Sequence, residues 1–316
     1  MEPGRACPLH YRYASQALAA APAVECETLY VVGGLYGNEQ ALAEILDMAA
    51  DEPGGATIIF NGDHNWFDVD PQSFLRINDA VLAHVALRGN VETELASDDD
   101  STGCGCGYPR WVGDAEVARS NAIMSRLRAT ARAHPELRAA LGRLPMYGAA
   151  SVGGMRTAIV HGDCESLAGW RYAQEALHDS SQLESAARDF EAVGARIIAS
   201  THTCLPVAAR FDTPGGACVL INNGAAGMPN FLGTRYGVIT RIALTPPRDA
   251  LYGTQVGRVY VDALAVHYDH DAWSRTFLAS WPPGSPAYDS YYGRITAGPR
   301  YDAGAAARWR AASAAA

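Results

Sequence analysis

The sequence predicts an α/β fold with a largely parallel sheet whose functional groups gather along one rim. Short β-branched and aromatic runs at 28–32, 57–61 and 84–88 alternate with amphipathic stretches of helical period. Their spacing suits right-handed crossovers between parallel neighbours. Apolar runs also stop repeatedly at glycines or at polar residues able to bind metal, in TLYVVGGLYGN, TIIFNGDHNWF, VALRGNVE, RTAIVHGD and RIIASTHTCLP. Strand ends that deliver Asp, Asn and His to one rim describe a metal-dependent hydrolase.

Composition narrows the class. With 316 residues and 48% apolar content the chain can bury a large core, and one elaborated domain is expected. A net charge of -9 argues against nucleic acid or an anionic membrane as the main partner, because both require clustered Lys and Arg. No apolar run approaches the roughly 20 residues of a membrane span, and MEPGRACPLHYRYAS lacks the basic start and apolar stretch of a leader, so a cytoplasmic protein is expected. The Cys count of 7, odd and scattered, suits reduced thiols.

In chain order, residues 1–27 carry no strong pattern and read as a lead-in. Thr28–Val32 is a buried strand closed by Gly33 and Gly34, and Asn38 caps a helix with Leu42, Ile45, Leu46 and Ala49 on one face. Pro53-Gly54-Gly55 ends that unit before the strand Thr57–Asn61. Phe74, Ile77, Val81 and Leu82 mark the next helix, which leads to the strand at 84–88. Residues 96–150 break the rhythm with a polar, glycine-rich loop and a segment of helical character, read as an insertion or cap. Strands follow at 156–160, 196–200, 217–222 and 237–244, with a helix through Leu183, Ala187, Phe190 and Val193. Residues 246–302 begin with a strand at 257–264. They continue as an aromatic arm carrying Trp281, Tyr288, Tyr291 and Tyr292, expected to pack on the core, over the pocket mouth or on the partner of a homodimer. Residues 303–316 form a low-complexity tail.

The series Gly62-Asp63, Gly89-Asn90, His161-Gly162 and His202-Thr203, in that order at strand ends, resembles the calcineurin-like metallophosphoesterases over about residues 28–245. The resemblance implies a two-layered mixed β-sandwich flanked by helices, here with a helical insertion and a C-terminal arm. It implies that Asp63 stands where the family's bridging carboxylate stands, and that Asn90, His161 and His202 match ligands of the second metal. An Asp and an Asn oxygen with two imidazoles form a mixed N/O set suited to Mn, Fe or Zn. Such an ion acidifies bound water and polarises a phosphoryl oxygen. The expected activity is hydrolysis of a small phosphomonoester, a sugar or nucleotide phosphate, by metal-bound hydroxide. Asp63, Asn90 and His64 are the catalytic candidates, and Asn38, Arg88 and Asn223 the substrate-binding ones. The Asn38 expectation rests on free N–H groups at a helix start.

The chain also departs from the family. Asp-x-His-Gly-Asn of its first motif is Gly34-Leu35-Tyr36-Gly37-Asn38 here, and the last His of Gly-His-Thr-His is Cys204. The first metal is left with Asp63 and Cys204, too few for a tight site. One ion is therefore expected, unless Tyr36, His64, Asp68, Cys104, Cys106 or Cys204 rebuilds the second position. Two alternatives stand beside the hydrolase: a catalytically inactive binding or regulatory protein on the same fold, and a hydrolase using Cys204 with a His base.

Overall fold

The computed structural model describes residues 2–309. Its strands are β1 Ala23–Cys26, β2 Thr28–Val32, β3 Thr57–Asn61, β4 Val85–Leu87, β5 Tyr147–Val152, β6 Met155–Val160, β7 Ile197–Ser200, β8 Val207–Thr213, β9 Gly216–Asn222, β10 Gly237–Ala243, β11 Tyr252–Val256, β12 Val259–Val266 and β13 Ala307–Arg308. Its helices are α1 Ser15–Ala20, α2 Glu39–Ala50, α3 Pro71–Leu82, α4 Asn90–Ala96, α5 Asp114–Arg132, α6 Pro135–Arg143, α7 Ser180–Ala192, α8 His270–Ser280, α9 Gly293–Ala297 and α10 Ala303–Ala306. None of the described helices is long and apolar enough to cross a membrane.

Strand β2 shows why the chain layers as it does. Adjacent side chains on a strand point to opposite faces, so an all-buried strand needs cover on both. Leu29 and Val31 face inward and meet Ile159, Ile197, Val219 and Ile221 of the other sheet. Tyr30 and Val32 face outward and meet Ile45 of α2 and Phe74 and Ile77 of α3. On the far side, Val160, Ile198 and Leu220 pack under Leu18 of α1 and Phe190 of α7. The result is the two-layered mixed sandwich between helices: a seven-stranded sheet ordered β1-β5-β6-β7-β9-β8-β13 faces a six-stranded sheet ordered β11-β12-β10-β2-β3-β4.

The expectation of a largely parallel sheet is corrected. β2, β3 and β4 are parallel, as are β6, β7 and β9, but β5 with β6, β8 with β9, and β10 with β2 and β12 pair antiparallel. Short connections such as Gly153-Gly154, both at positive φ, permit hairpins where a helical crossover would be too long. Three boundaries also differ from the sequence reading. Residues 1–27 include β1, an edge strand paired with β5, and the expected insertion at 96–150 ends in β5 itself. In the expected tail, β13 adds to β8, while 310–316 lie outside the described residues. The aromatic arm packs on its own chain: Trp273, Phe277 and Trp281 are buried, and the Trp281 indole donates to the Phe67 carbonyl at 2.8 Å.

Candidate metal centre

Asp63 follows the end of β3 and Asn90 follows β4, in one sheet; His161 follows β6 and His202 follows β7, in the other. The carboxyl ends of parallel strands from both layers thus meet at one edge of the sandwich, the usual place for a site in α/β architecture. There Asp63, His161 and His202, all buried, form the group of His, Cys, Asp and Glu side chains among the described residues able to hold an ion.

The hydrogen bonds around the two imidazoles fix their tautomers. A carbonyl oxygen can only accept, so His161 Nδ1 donates to the Asn61 carbonyl at 2.8 Å and its Nε2 faces inward. His202 Nε2 donates to the Cys106 carbonyl at 3.0 Å, which turns its Nδ1 inward, 3.1 Å from His161 Nε2. Asn90 Nδ2 donates to the Cys104 carbonyl at 3.0 Å, leaving Oδ1 3.2 Å from the same His161 nitrogen. Asp63 Oδ2 stands 3.3 Å from it. With both rings neutral, two nitrogens and two oxygens direct lone pairs at one point and have no proton to share. Such a set repels itself until positive charge enters, and a divalent ion supplies that charge. Without an ion a proton takes part of that role: burial opposes the charge of Asp63 and His161, but their mutual attraction holds the carboxyl below its ordinary range and the imidazole above it, so a proton on His161 Nε2 stands where an ion would. Burial and the neighbouring His161 press His202 down to about 3, so its inward nitrogen stays unprotonated.

Glycine makes the convergence possible. A Cβ on Gly62 would sit 2.5 Å from the Gly89 nitrogen, and one on Gly89 would sit 2.2 Å from Asp63 Oδ1. Any side chain at either position would push the two loops apart. Asp63 itself holds φ 52, a left-handed conformation that Asp tolerates better than most residues. Glu92 secures this turn. Fully buried, it accepts from the backbone N–H of Asp63 at 2.8 Å, His64 at 3.1 Å and Gly89 at 2.9 Å. The Gly-Asn-x-Glu spacing contained that information, but Glu92 was not among the residues expected to act. Nor were the carbonyls of Cys104 and Cys106, which orient Asn90 and His202 from a loop distant in sequence and so left no local pattern to read.

Several expected site residues lie elsewhere. His64 is buried beneath the turn, its Nδ1 3.5 Å from Glu92, and does not line the cavity at the cluster; the left-handed turn at Asp63, with the His64 N–H held by Glu92, sends its ring to that side. Cys204 lines the cavity but is outside the ion-binding group; its Sγ lies 2.9 Å from the Tyr36 hydroxyl, and burial raises its pKa. Asn38 is fully buried, with Oδ1 capping α2 at Ala41 and Nδ2 donating to Gly227, so its helix start is closed to substrate. Arg88 donates to the Gly142 carbonyl in a separate groove lined by Leu144 and Tyr147. Asn223 is buried and donates to the carbonyls of Gly33 and Val238. The Cys104 and Cys106 sulfurs lie against each other and neither joins the cluster. Asp68 caps the turn at the Trp66 N–H.

The cavity at the cluster measures about 30 Å³ and is lined by Tyr36, Asp63, Trp66, Asn90, Val91, Cys106, Tyr108, Trp170, His202, Cys204 and Tyr291. Among the described residues its wall holds no Lys or Arg.

No protein-family model and no curated protein matches the chain. Solved structures do. A hypothetical protein from Pyrococcus horikoshii superposes with TM-score 0.58 at 16% identity, covering 86% of this chain and 99% of that one. A metallophosphoesterase from Sphaerobacter thermophilus superposes with TM-score 0.54 at 17% identity, again covering 86% of this chain and 99% of that one. At such identities the likeness speaks to architecture, and with the two mixed sheets, their flanking helices and their strand order it shows that this chain has the calcineurin-like metallophosphoesterase fold.

Proposed function

We propose that the chain is a phosphoester hydrolase working with one divalent transition ion, Mn, Fe or Zn, held by Asp63, Asn90, His161 and His202. The observation that carries the reading is the convergence of His161 Nε2 and His202 Nδ1, 3.1 Å apart, each with its other nitrogen committed to a carbonyl. When bound, the ion supplies Lewis acidity, acidifying water and drawing charge from a phosphoryl oxygen. The chain's residues supply the rest. Asp63 and Asn90 orient the ion from one sheet and the two imidazoles from the other. Trp66, Val91 and the aromatic wall exclude bulk water, which strengthens electrostatics inside. Tyr36, buried and with its pKa raised first by that burial, keeps its proton and can donate to a phosphoryl oxygen. Because no Lys or Arg among the described residues lines the wall, the countercharge for a small phosphomonoester would come from the ion when bound.

Cysteine chemistry has less support. The Cys204 Sγ partners are the Tyr36 hydroxyl and the His202 carbonyl, so no imidazole nitrogen stands ready as its base.

Elemental analysis of the purified protein, together with hydrolysis of p-nitrophenyl phosphate, tests the reading. One equivalent of transition metal and chelator-sensitive turnover are expected, both lost in Asp63→Ala and His161→Ala, with metal content retained in Cys204→Ser. Unchanged turnover in either alanine variant overturns the assignment. Bound metal without turnover on any phosphoester would select the non-catalytic binding protein.

A further inference from the structure

We infer that the organic part of the substrate is a planar aromatic ring seated outside the cavity, against Trp111 and Trp170; the inference deepens the phosphoester reading and rests on it. Size gives the first argument. A cavity of about 30 Å³ is far smaller than the roughly 300–1,000 Å³ of sites that enclose a whole small-molecule ligand, so the organic part must lie at its mouth. The mouth is identifiable because Tyr108, Trp170, Cys204 and Tyr291 are the lining residues that remain partly exposed while the others are buried.

What the mouth presents is aromatic surface. Trp170 stands edge-on to His202 with ring centroids 5.4 Å apart, and Tyr108 lies 5.7 Å from Trp170. Trp111 meets Trp170 at 6.4 Å and 83°, a corner in which a flat ring can lie on one indole and touch the edge of the other. Trp111 is 59% exposed, a large apolar side chain in water, joined to His202 of the ion-binding group through Trp170. Two of the polar groups there are already engaged. The Trp170 indole N–H donates to the Cys106 carbonyl at 2.9 Å and the Tyr108 hydroxyl pairs with Ser120 at 3.0 Å. Sugar hydroxyls would find few partners there. A planar π-system needs only the ring faces, and such stacking tolerates many ring types.

The test uses full-length protein loaded with its metal and phosphonates that cannot be hydrolysed, titrated by calorimetry. Benzylphosphonate is expected to bind about tenfold more tightly than cyclohexylmethylphosphonate, with most of that preference lost in Trp111→Ala and in Trp170→Leu. Methylphosphonate, which has no ring, should bind wild type and Trp111→Ala alike. Equal affinity for the two ring compounds, or a preference that survives both substitutions, overturns the inference while leaving the phosphoryl site standing if methylphosphonate binds. No binding by any of the three overturns the inference and the phosphoryl site together. The opposite failure is also separable: a ring preference of the expected kind with no turnover of benzyl phosphate retains the ring site and overturns only the hydrolase.

Discussion

At the residue scale the centre is decided by which atoms are already engaged. His161 and His202 would be ordinary buried histidines but for the Asn61 and Cys106 carbonyls, which take one nitrogen of each and aim the other inward. The spacing of the sequence named both residues, together with Asp63 and Asn90. It could not show that Cys106 would matter through its carbonyl, or that His64 would point below the turn. Glu92 is the residue whose importance most exceeds its expectation. Its carboxylate receives only N–H donors, four of them from the backbone of Asp63, His64, Asn65 and Gly89. In Glu92→Gln one oxygen becomes an NH2 group facing those donors, which leaves buried N–H groups unpaired. A loss of about 2–3 kcal/mol in stability is expected, with weakened metal retention on dialysis. Urea denaturation and elemental analysis check both, and wild-type values in the variant would show that the turn holds without this carboxylate.

At the element scale the strand ends are legible and the loops that cover them are not. Asp68 illustrates this, since it sits in the loop between β3 and α3, with Oδ1 accepting from the Trp66 N–H and Oδ2 buried without a partner. Burial pushes its carboxyl up to about 7. A folded-state pKa raised above the unfolded value of about 4 gives stability that is complete at acid pH and lost as pH rises through 7. The wild type should therefore lose stability between pH 5 and 8, on the order of a few kcal/mol from this group. Asp68→Asn keeps the acceptor for Trp66 and cannot ionise, so its urea midpoint should change less across the same interval. Parallel pH dependence in the two proteins would rule out Asp68 as the source.

At the scale of the whole molecule, the arm beyond β12 closes the layered core. Trp281, 1% exposed, fills the outer cluster and bonds the Phe67 carbonyl, which fastens the loop carrying Trp66 at the cavity. Trp281→Ala is expected to cost about 3–5 kcal/mol through the space it leaves and to raise KM for a phosphoester as that loop loosens; thermal unfolding and steady-state kinetics measure the two, and an unchanged melting temperature would contradict the packing. The sequence by itself determined the apolar strands, the helices between them and the order of Asp63, Asn90, His161 and His202, because periodicity and strand-end chemistry are local properties. The tertiary structure alone decided that β1, β5 and β8 complete a mixed sheet, that Asn38, Arg88 and Asn223 serve the scaffold, and that the 104–106 loop orients the ligands. Those outcomes depend on which distant backbone groups come within hydrogen-bonding distance, and that is set only when the two sheets close on each other.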